Sequence, residues 1–515
     1  MSSQNNNNID LDALCARIDS ANVYALARRT PLEFAAALSA QYGRNIWLKR
    51  EDLQDVFSFK IRGATNRISA MSDAERARGV CAASAGNHAQ GVAAAAAYYK
   101  TDALIFMPVT TPDIKVKAVE TGGAKTRLVG DSYDEACMAA IEYAKQSGAV
   151  FIHPFDEIEV IAGQGTVAKE IFEQIPRTPS AIYVCVGGGG LISGIGAWAK
   201  TKSPDTQIVS CEPVGAATLQ TSLANGCVTP LDKIDGFADG VAVKQIGALT
   251  YKICEQVVDR CVTVTNDEIS AAVKAIFETT RTVVEPAGAL ALACLIKDIR
   301  AGAAPQGDIV VTVSGANVNF DRIGHIVERA ELGADREMLF AATLPEERGA
   351  FERFVAFLHG RAVSEFNYRF ADGQDEARIL VGLKLSGGEA EAKALTQELD
   401  AGGYDTVDLS RDRLAKRHLR HMVGGRASRD VDEALYRFEF PERPGALMDF
   451  LTAIGGKWNI SLFHYRNHGS AEGQVLCGFQ IPNADIEALE TALQSTGYPM
   501  TNESDNAAFK MFLRA

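Results

Sequence analysis

Ile182-Tyr183-Val184-Cys185-Val186, followed by Gly187-Gly188-Gly189-Gly190 and then Leu191-Ile192-Ser193, decides the architecture of the first 330 residues. The continuous apolar run reads as a strand buried on both faces, and Leu191–Lys200 reads as a helix. Between them, four residues without side chains leave consecutive backbone N–H groups at the positive end of a helix dipole. That is the chemistry of a phosphate cradle. Neither the dinucleotide spacing G-x-G-x-x-G nor the loop G-x-x-x-x-G-K-[ST] is met, because Ile192 and Ser193 stand where a third glycine would be. A phosphate site is the functional reading, and a bare tight turn is the structural one.

Outward from this stretch the same grammar repeats. Val80–Ala83, Ala103–Met107, Val150–His153, Ile208–Cys211 and Ile309–Val313 are further apolar strand candidates. Helices are expected over His88–Tyr99, Val116–Glu120, Tyr133–Lys145 and Thr166–Gln174. Thr111 before Pro112 reads as an N-cap with proline at the first helical position, and Ser132 with Glu135 reads as a capping box. Apolar strands alternating with helices indicate a parallel α/β sheet covered on both faces.

Beyond about Arg329 the pattern changes to an internal repeat. Thr343–Phe351 echoes Glu439–Leu447, and Val363–Arg369 echoes Ile460–Arg466, at offsets of about 96 and 97 residues. Each copy reads strand, Pro/Gly turn, helix, strand, strand (Ala377–Leu385; Gly473–Ile481), helix, a βαββα unit with an open-faced antiparallel sheet. The expected organisation is a disordered tail over 1–12, an α/β domain over 13–330, repeat units over 338–410 and 432–506, and a linker over 411–431. The Arg-, Lys- and His-rich stretch Asp412–Arg426 reads as a solvated linker helix, with an anion site as the alternative. Matched segments place Phe366, Tyr368 and Arg369 in correspondence with Phe463, Tyr465 and Arg466. Aromatic rings beside a guanidinium suit a small amino acid and its carboxylate; an amphipathic strand is the plainer reading.

Composition narrows the class. A chain of 515 residues with 47% hydrophobic and 23% charged residues has ample core for two to four domains. A net charge of −13 argues against nucleic acid or an anionic membrane as partner. The ten cysteines include no C-x-x-C pair and read as buried thiols of a reducing compartment. Met1–Asn8 reads as a short disordered tail and not as a targeting signal, and no apolar run approaches the ~20 residues of a membrane span. A cytoplasmic protein is expected.

Three further segments carry chemistry. In Ser58-Phe59-Lys60-Ile61, a lysine between hydrophobic residues opens a helix. Apolar surroundings lower its pKa and free the amine for Schiff-base formation. Ser84-Ala85-Gly86-Asn87-His88 follows one strand and opens another helix. Its N–H groups and the Ser84 hydroxyl suit a substrate carboxylate, and the Asn87 amide suits a ring hydroxyl. His88 reads as a structural hydrogen-bonding group. Ser314, in Ser314-Gly315-Ala316-Asn317, ends a strand. A neutral hydroxyl against a pyridine nitrogen leaves that nitrogen largely unprotonated and favours prompt loss of a β-leaving group. Together these are the parts of a pyridoxal phosphate enzyme.

With Ala89-Gln90-Gly91 and Glu285-Pro286-Ala287-Gly288 added, these segments resemble the serine/threonine dehydratases, of the tryptophan-synthase-β-like (fold type II) pyridoxal phosphate enzymes. The repeated half is similar to the two ACT-like regulatory domains of the biosynthetic threonine deaminases. The resemblance implies that Lys60 is the Schiff-base lysine and the base for the Cα proton. It assigns Asn87 to the ring hydroxyl, Gly187, Gly188, Gly189, Gly190 and Leu191 to the phosphate, Ser314 to the ring nitrogen, and Ser84–His88 to the substrate. The implied reaction is loss of water from L-threonine, giving 2-oxobutanoate and ammonia on the way to isoleucine. Isoleucine is implied as inhibitor, valine as its antagonist, and a homotetramer as the assembly. Ala85 stands where related serine racemases carry a second serine, so elimination without racemisation is expected. Some relatives have an acidic divalent-metal site; here Glu212 is present but Ala217 and Thr218 stand where a further acidic ligand would be sought, and no required metal is expected. The rivals are a broad catabolic serine/threonine dehydratase and an amino-acid sensor on a defunct fold.

Overall fold

The apolar run around Tyr183 becomes the strand Ala181–Cys185, with every residue buried. In the computed structural model, residues 8–333, 337–345, 347, 349–369, 376–410, 412, 432–441, 446–454, 457–466, 472–482 and 485–506 are described. The chain divides into two compact units, at 333/334.

In the first unit Ala181–Cys185 lies between Asp308–Val313 and Gln207–Pro213, parallel to both. The six-stranded sheet runs Leu32–Phe34, Asn45–Arg50, Asp308–Val313, Ala181–Cys185, Gln207–Pro213, Arg260–Val264. Only its first pair is antiparallel. A second, four-stranded parallel sheet runs Lys125–Leu128, Ala103–Met107, Val80–Ala83, Val150–Phe151. It has hydrophobic clusters of its own, around Ile105 and Phe106, apart from the large cluster around Tyr183. Near-continuous apolar strands fit helical cover on both faces.

Most of the expected elements of this unit stand within a residue or two of their expected limits. Ser132 and Glu135 form the capping box of the helix Tyr133–Ser147. The helix expected from Thr166 instead starts at Ile158, through a first half rich in Gly and Ala. Thr111 is not the cap of its helix: Pro112 occupies that position and the helix runs Asp113–Thr121. The Thr111 N–H closes a turn onto the Pro108 carbonyl, while the Pro112 carbonyl accepts the first helical bonds. The short strands Leu32–Phe34, Lys125–Leu128 and Arg260–Val264 escaped notice because partly exposed, mixed-polarity segments of this length have no period to read.

A polar knot sits behind the helix Lys60–Ser69. The Arg62 guanidinium is fully buried and forked between Glu51 (2.7 and 2.7 Å) and Glu170 (2.6 and 2.9 Å). Buried Lys49 adds a bond to Glu170 at 2.6 Å. Two cations and two carboxylates balance, and Tyr24 and Thr30 take remaining lone pairs.

In the second unit all strand pairings among the described residues are antiparallel. One eight-stranded sheet runs Asp405–Asp408, Glu337–Pro345, Glu376–Lys384, Val363–Arg369, Asn459–Arg466, Glu472–Gln480, Glu433–Pro441, Met500–Asn502. The two copies join through the matched segments: Phe366 faces Tyr465, Asn367 faces His464, and Tyr368 faces Phe463. Each copy keeps a buried serine at a β-bulge, donating to a buried glutamate (Ser364 to Glu337, Ser461 to Glu433). The expectation about Asp412–Arg426 falls, beyond Asp412, outside the described residues.

Candidate active site

The site forms where chain leaves the carboxyl ends of three strands. Val80–Ala83 leads into Ser84–Gly86, Ala181–Cys185 leads into the glycine run, and Asp308–Val313 leads into Ser314. Lys60 comes from none of these. Phe59 N–H donates to Ser314 O (3.2 Å), and Ala316 N–H donates to Phe57 O (2.9 Å). Ser58 and Gly315 thereby form a β-bridge that clamps the lysine segment to the serine loop. Phe57 takes the left-handed conformation (φ +56°) as the chain turns in, a strained state for a bulky residue.

Lys60, Asn87, Gly187–Leu191 and Ser314 share one cavity with Phe59, Pro154, Phe155, Cys185 and Glu285. The residues grouped from sequence are therefore brought together. A wider cleft of about 690 Å³ adjoins it, lined by Ser84–His88, Asp239, Gly240 and Ala316–Asn319 among others.

The Lys60 amine donates to the Pro154 carbonyl at 2.8 Å. Burial pulls its pKa down to about 8, opposed by the Cys185 and Glu285 side chains. Asn87 is held at both ends: its Nδ2 donates to Glu285 Oε1 (2.7 Å) and its Oδ1 accepts from Asn317 Nδ2 (2.6 Å). Burial raises the Glu285 carboxyl to about 8, with Asp239 adding in the same direction. Ser314 Oγ donates to Ala287 O at 3.3 Å. Ser84 Oγ accepts the Gly86 N–H at 3.2 Å, so it shapes its own loop. Ala85 and Gly86 line the same cleft. His88 Nε2 lies 2.9 Å from Ile152 O, and burial with the nearby Lys60 charge lowers it to about 3. It stays neutral and holds structure.

The glycine run begins after Val186, and Gly189 takes φ +90°, open to glycine without strain. A β-carbon on Gly188 would lie 2.2 Å from the Phe155 ring, an impossible contact. Gly189 is also the cap position of the helix Gly190–Lys202, where no side chain bonds the first N–H groups. The cradle is open.

Glu212 is elsewhere engaged. Its carboxylate accepts from Leu219 N (2.7 Å) and Gln220 N (2.9 Å) at the start of the helix Thr218–Asn225. Burial raises it to about 7. Among the described residues no group of three or more His, Cys, Asp and Glu side chains could hold a metal ion, and no helix is long and apolar enough to cross a membrane.

Glu285, Asn317 and Pro154 were not among the site residues read from sequence. Glu285 precedes a proline at a helix start and Asn317 ends the Ser314 motif, which gave a signal. Pro154 acts through its carbonyl, which carries no sequence signal.

Residues 23–315 match the family described as pyridoxal-phosphate dependent enzyme, and 328–419 and 424–513 match the C-terminal regulatory domain of threonine dehydratase. The biosynthetic L-threonine dehydratase of Burkholderia multivorans is 46% identical over 96% of this chain and 98% of its own. That of Escherichia coli is 46% identical over 96% and 95%. This chain belongs to the biosynthetic threonine dehydratases. Among solved structures, the processed form of threonine deaminase isoform 2 from Solanum lycopersicum covers 62% of this chain and 93% of its own, with TM-score 0.61 and 42% identity. Maize serine racemase covers 62% and 95%, with TM-score 0.56 and 32% identity.

The cofactor of this dehydratase is pyridoxal phosphate. The residues present fit it: an uncapped helix start behind four glycines for the phosphate, and a buried amine in the same cavity.

Proposed function

We propose that the chain deaminates L-threonine to 2-oxobutanoate and ammonia, with Lys60 as the catalytic lysine. The observation that carries this reading is the Lys60 amine, buried in one cavity with the glycine loop, Asn87 and Ser314, and hydrogen-bonded to a carbonyl. An amine lowered to about 8 has a substantial free-base fraction near neutral pH, which both a nucleophile and a proton acceptor need. Bound pyridoxal phosphate supplies an electrophilic carbon for amines and a sink for the electrons left when the Cα–H bond breaks.

Each side chain then has a task. The N–H groups of Gly187–Leu191 hold the phosphate. Asn87, fixed by Glu285 and Asn317, presents its amide to the ring hydroxyl. Ser314 offers a neutral hydroxyl to the ring nitrogen. The Ser84–His88 segment, opening the helix Asn87–Tyr98, turns backbone N–H groups toward the substrate carboxylate. Lys60 accepts the Cα proton, the β-hydroxyl departs as water, and hydrolysis of the released enamine yields the products.

We further propose feedback control by isoleucine, with valine as antagonist, in a cytoplasmic homotetramer; the match of the C-terminal unit to a threonine dehydratase regulatory domain supports the regulatory part. Phe366, Tyr368, Phe463 and Tyr465 are buried around the seam between the two copies, and Phe366 and Phe463 meet edge-on at 5.6 Å. The side chains of Arg369 and Arg466 lie outside what the structure describes, so the carboxylate-binding role of these two rests on the sequence match. A coupled assay for 2-oxo acids, comparing L-threonine with L-serine and adding isoleucine, tests the reading. A preference for threonine and inhibition by isoleucine are expected; equal use of serine without inhibition favours the catabolic type, and no turnover with either substrate favours a sensor.

A further inference from the structure

Pro154 and Phe155, the middle residues of the turn His153-Pro154-Phe155-Asp156, line the cofactor cavity. The Pro154 carbonyl receives the Lys60 amine at 2.8 Å. Phe155 packs against the glycine run, its ring filling the space over Gly188 and its backbone lying against Gly190.

Asp156 reaches further. Its carboxylate accepts three N–H groups, from Ala248 (3.0 Å), Leu249 (2.9 Å) and Thr250 (3.0 Å), which open the ten-residue helix Ala248–Val257. From that first turn Thr250 Oγ1 donates to the Gly188 carbonyl at 2.7 Å. The turn itself is stiff: His153 Nδ1 accepts the N–H groups of Phe155 (3.3 Å) and Asp156 (2.8 Å). Its ring stands edge-on to Phe155 at 4.8 Å.

Helix starts attract anions; one opens at Gly190 in the cavity wall, and another, at Ala248, is met by Asp156. Asp156 occupies the start at Ala248, while no side chain caps the start at Gly190 directly behind the glycine run, which suits that start to an external anion. Tying down the Gly188 carbonyl through Thr250 also fixes the peptide planes of the loop, and a cradle of N–H groups binds only if those planes are preset.

We propose that Asp156 is a positioning residue for the cofactor phosphate, acting through Thr250 on the glycine loop, within a turn whose Pro154 carbonyl independently sets Lys60. This rests on the reading that the glycine run holds the phosphate.

The test uses the full chain freed of cofactor, with dissociation constants of pyridoxal phosphate and of pyridoxal, which lacks the phosphate, measured by equilibrium dialysis. Wild type should prefer the phosphorylated form strongly. In Asp156→Asn the affinity for pyridoxal phosphate should fall about tenfold while that for pyridoxal is unchanged. Thr250→Val, which keeps the shape but removes the bond to Gly188, should show the same selective loss. Equal losses for both ligands, or a lowered melting temperature with an unchanged preference, would overturn the role of Asp156. If wild type itself shows no preference, the phosphate reading of the glycine run fails and the inference falls with it.

Discussion

The Asn87 side-chain amide donates to Oε1 of Glu285 at 2.7 Å across 198 residues of sequence, and this bond ties the loop of the smaller sheet to the mouth of a helix in the larger. Asn87 sits at the start of the helix Asn87–Tyr98 and Glu285 at the cap of Pro286–Arg300. With Asn317 on the other end of the amide, the orientation of Asn87 is not free.

Glu285 gives this relationship a pH dependence. Its carboxyl titrates at about 8 when folded against 4.5 when free, so between those values the folded chain keeps a proton that the unfolded chain has lost. Stability from this group is full below 4.5 and declines as pH rises through about 8. The cofactor-free wild type should lose more melting temperature between about pH 6 and about pH 9 than Glu285→Gln does. Parallel curves for the two proteins would show that Glu285 is not buried as the carboxylic acid.

On the proposed assignment of Lys60 as the catalytic lysine, Lys60→Ala should cut turnover by at least ~10³-fold with the fold intact. In the wild type, borohydride reduction of the loaded enzyme followed by peptide mass spectrometry should place the cofactor on Lys60. Because burial lowers this amine to about 8, the rate of cofactor loading should rise with a midpoint near that pH. A midpoint near the ordinary lysine value of 10.5 would contradict the buried site.

Arg62 is two residues further along the same helix and has no route to solvent. Arg62→Met leaves Glu51 and Glu170 with one cation, Lys49, between them. Breaking a buried pair from one side costs ~3–5 kcal/mol, so chemical denaturation should show a loss of that order. A loss under ~1 kcal/mol would mean that water enters the knot.

Ala85 predicts the stereochemical outcome. Without a hydroxyl there to return a proton on the opposite face, incubation with L-serine should give pyruvate and no D-serine. Chiral chromatography of the mixture decides this, and D-serine accumulating alongside pyruvate would count against it. Ser314→Asp should slow elimination by stabilising negative charge at Cα for longer, and an unchanged rate would mean that Ser314 does not face the ring nitrogen.

The second unit predicts separable control. A chain ending near Gly333, where the first unit ends, should turn over threonine without responding to isoleucine. Tyr465→Ala in the full chain should raise the isoleucine needed for inhibition while sparing basal activity, consistent with a coupling of ~1–3 kcal/mol between sites. Inhibition surviving in the shortened chain would end the regulatory reading.

Much of this was legible in the chain because its signals are local. A five-residue apolar run before four glycines fixes strand, loop and helix start within a dozen positions, and Ser132 with Glu135 caps its own helix. The repeat was legible because matched residues recur at offsets that differ by a single residue, although its edge strands Asp405–Asp408 and Met500–Asn502 were not. Three or four half-exposed residues have no periodicity, and only pairing to a neighbour makes them strands.

The sequence by itself determined the element types, the two units and the residues able to do the chemistry, since propensity, periodicity and capping act over a few neighbouring positions. Tertiary structure alone decided which groups meet and in what charge state. That Lys60 points at the Pro154 carbonyl, that Asp156 fills the helix start at Ala248, and that Glu285 fixes Asn87 are contacts across 94, 92 and 198 residues. The shifted pKa values follow from the same packing, because desolvation depends on everything that surrounds a group and its neighbours in the chain are a small part of that.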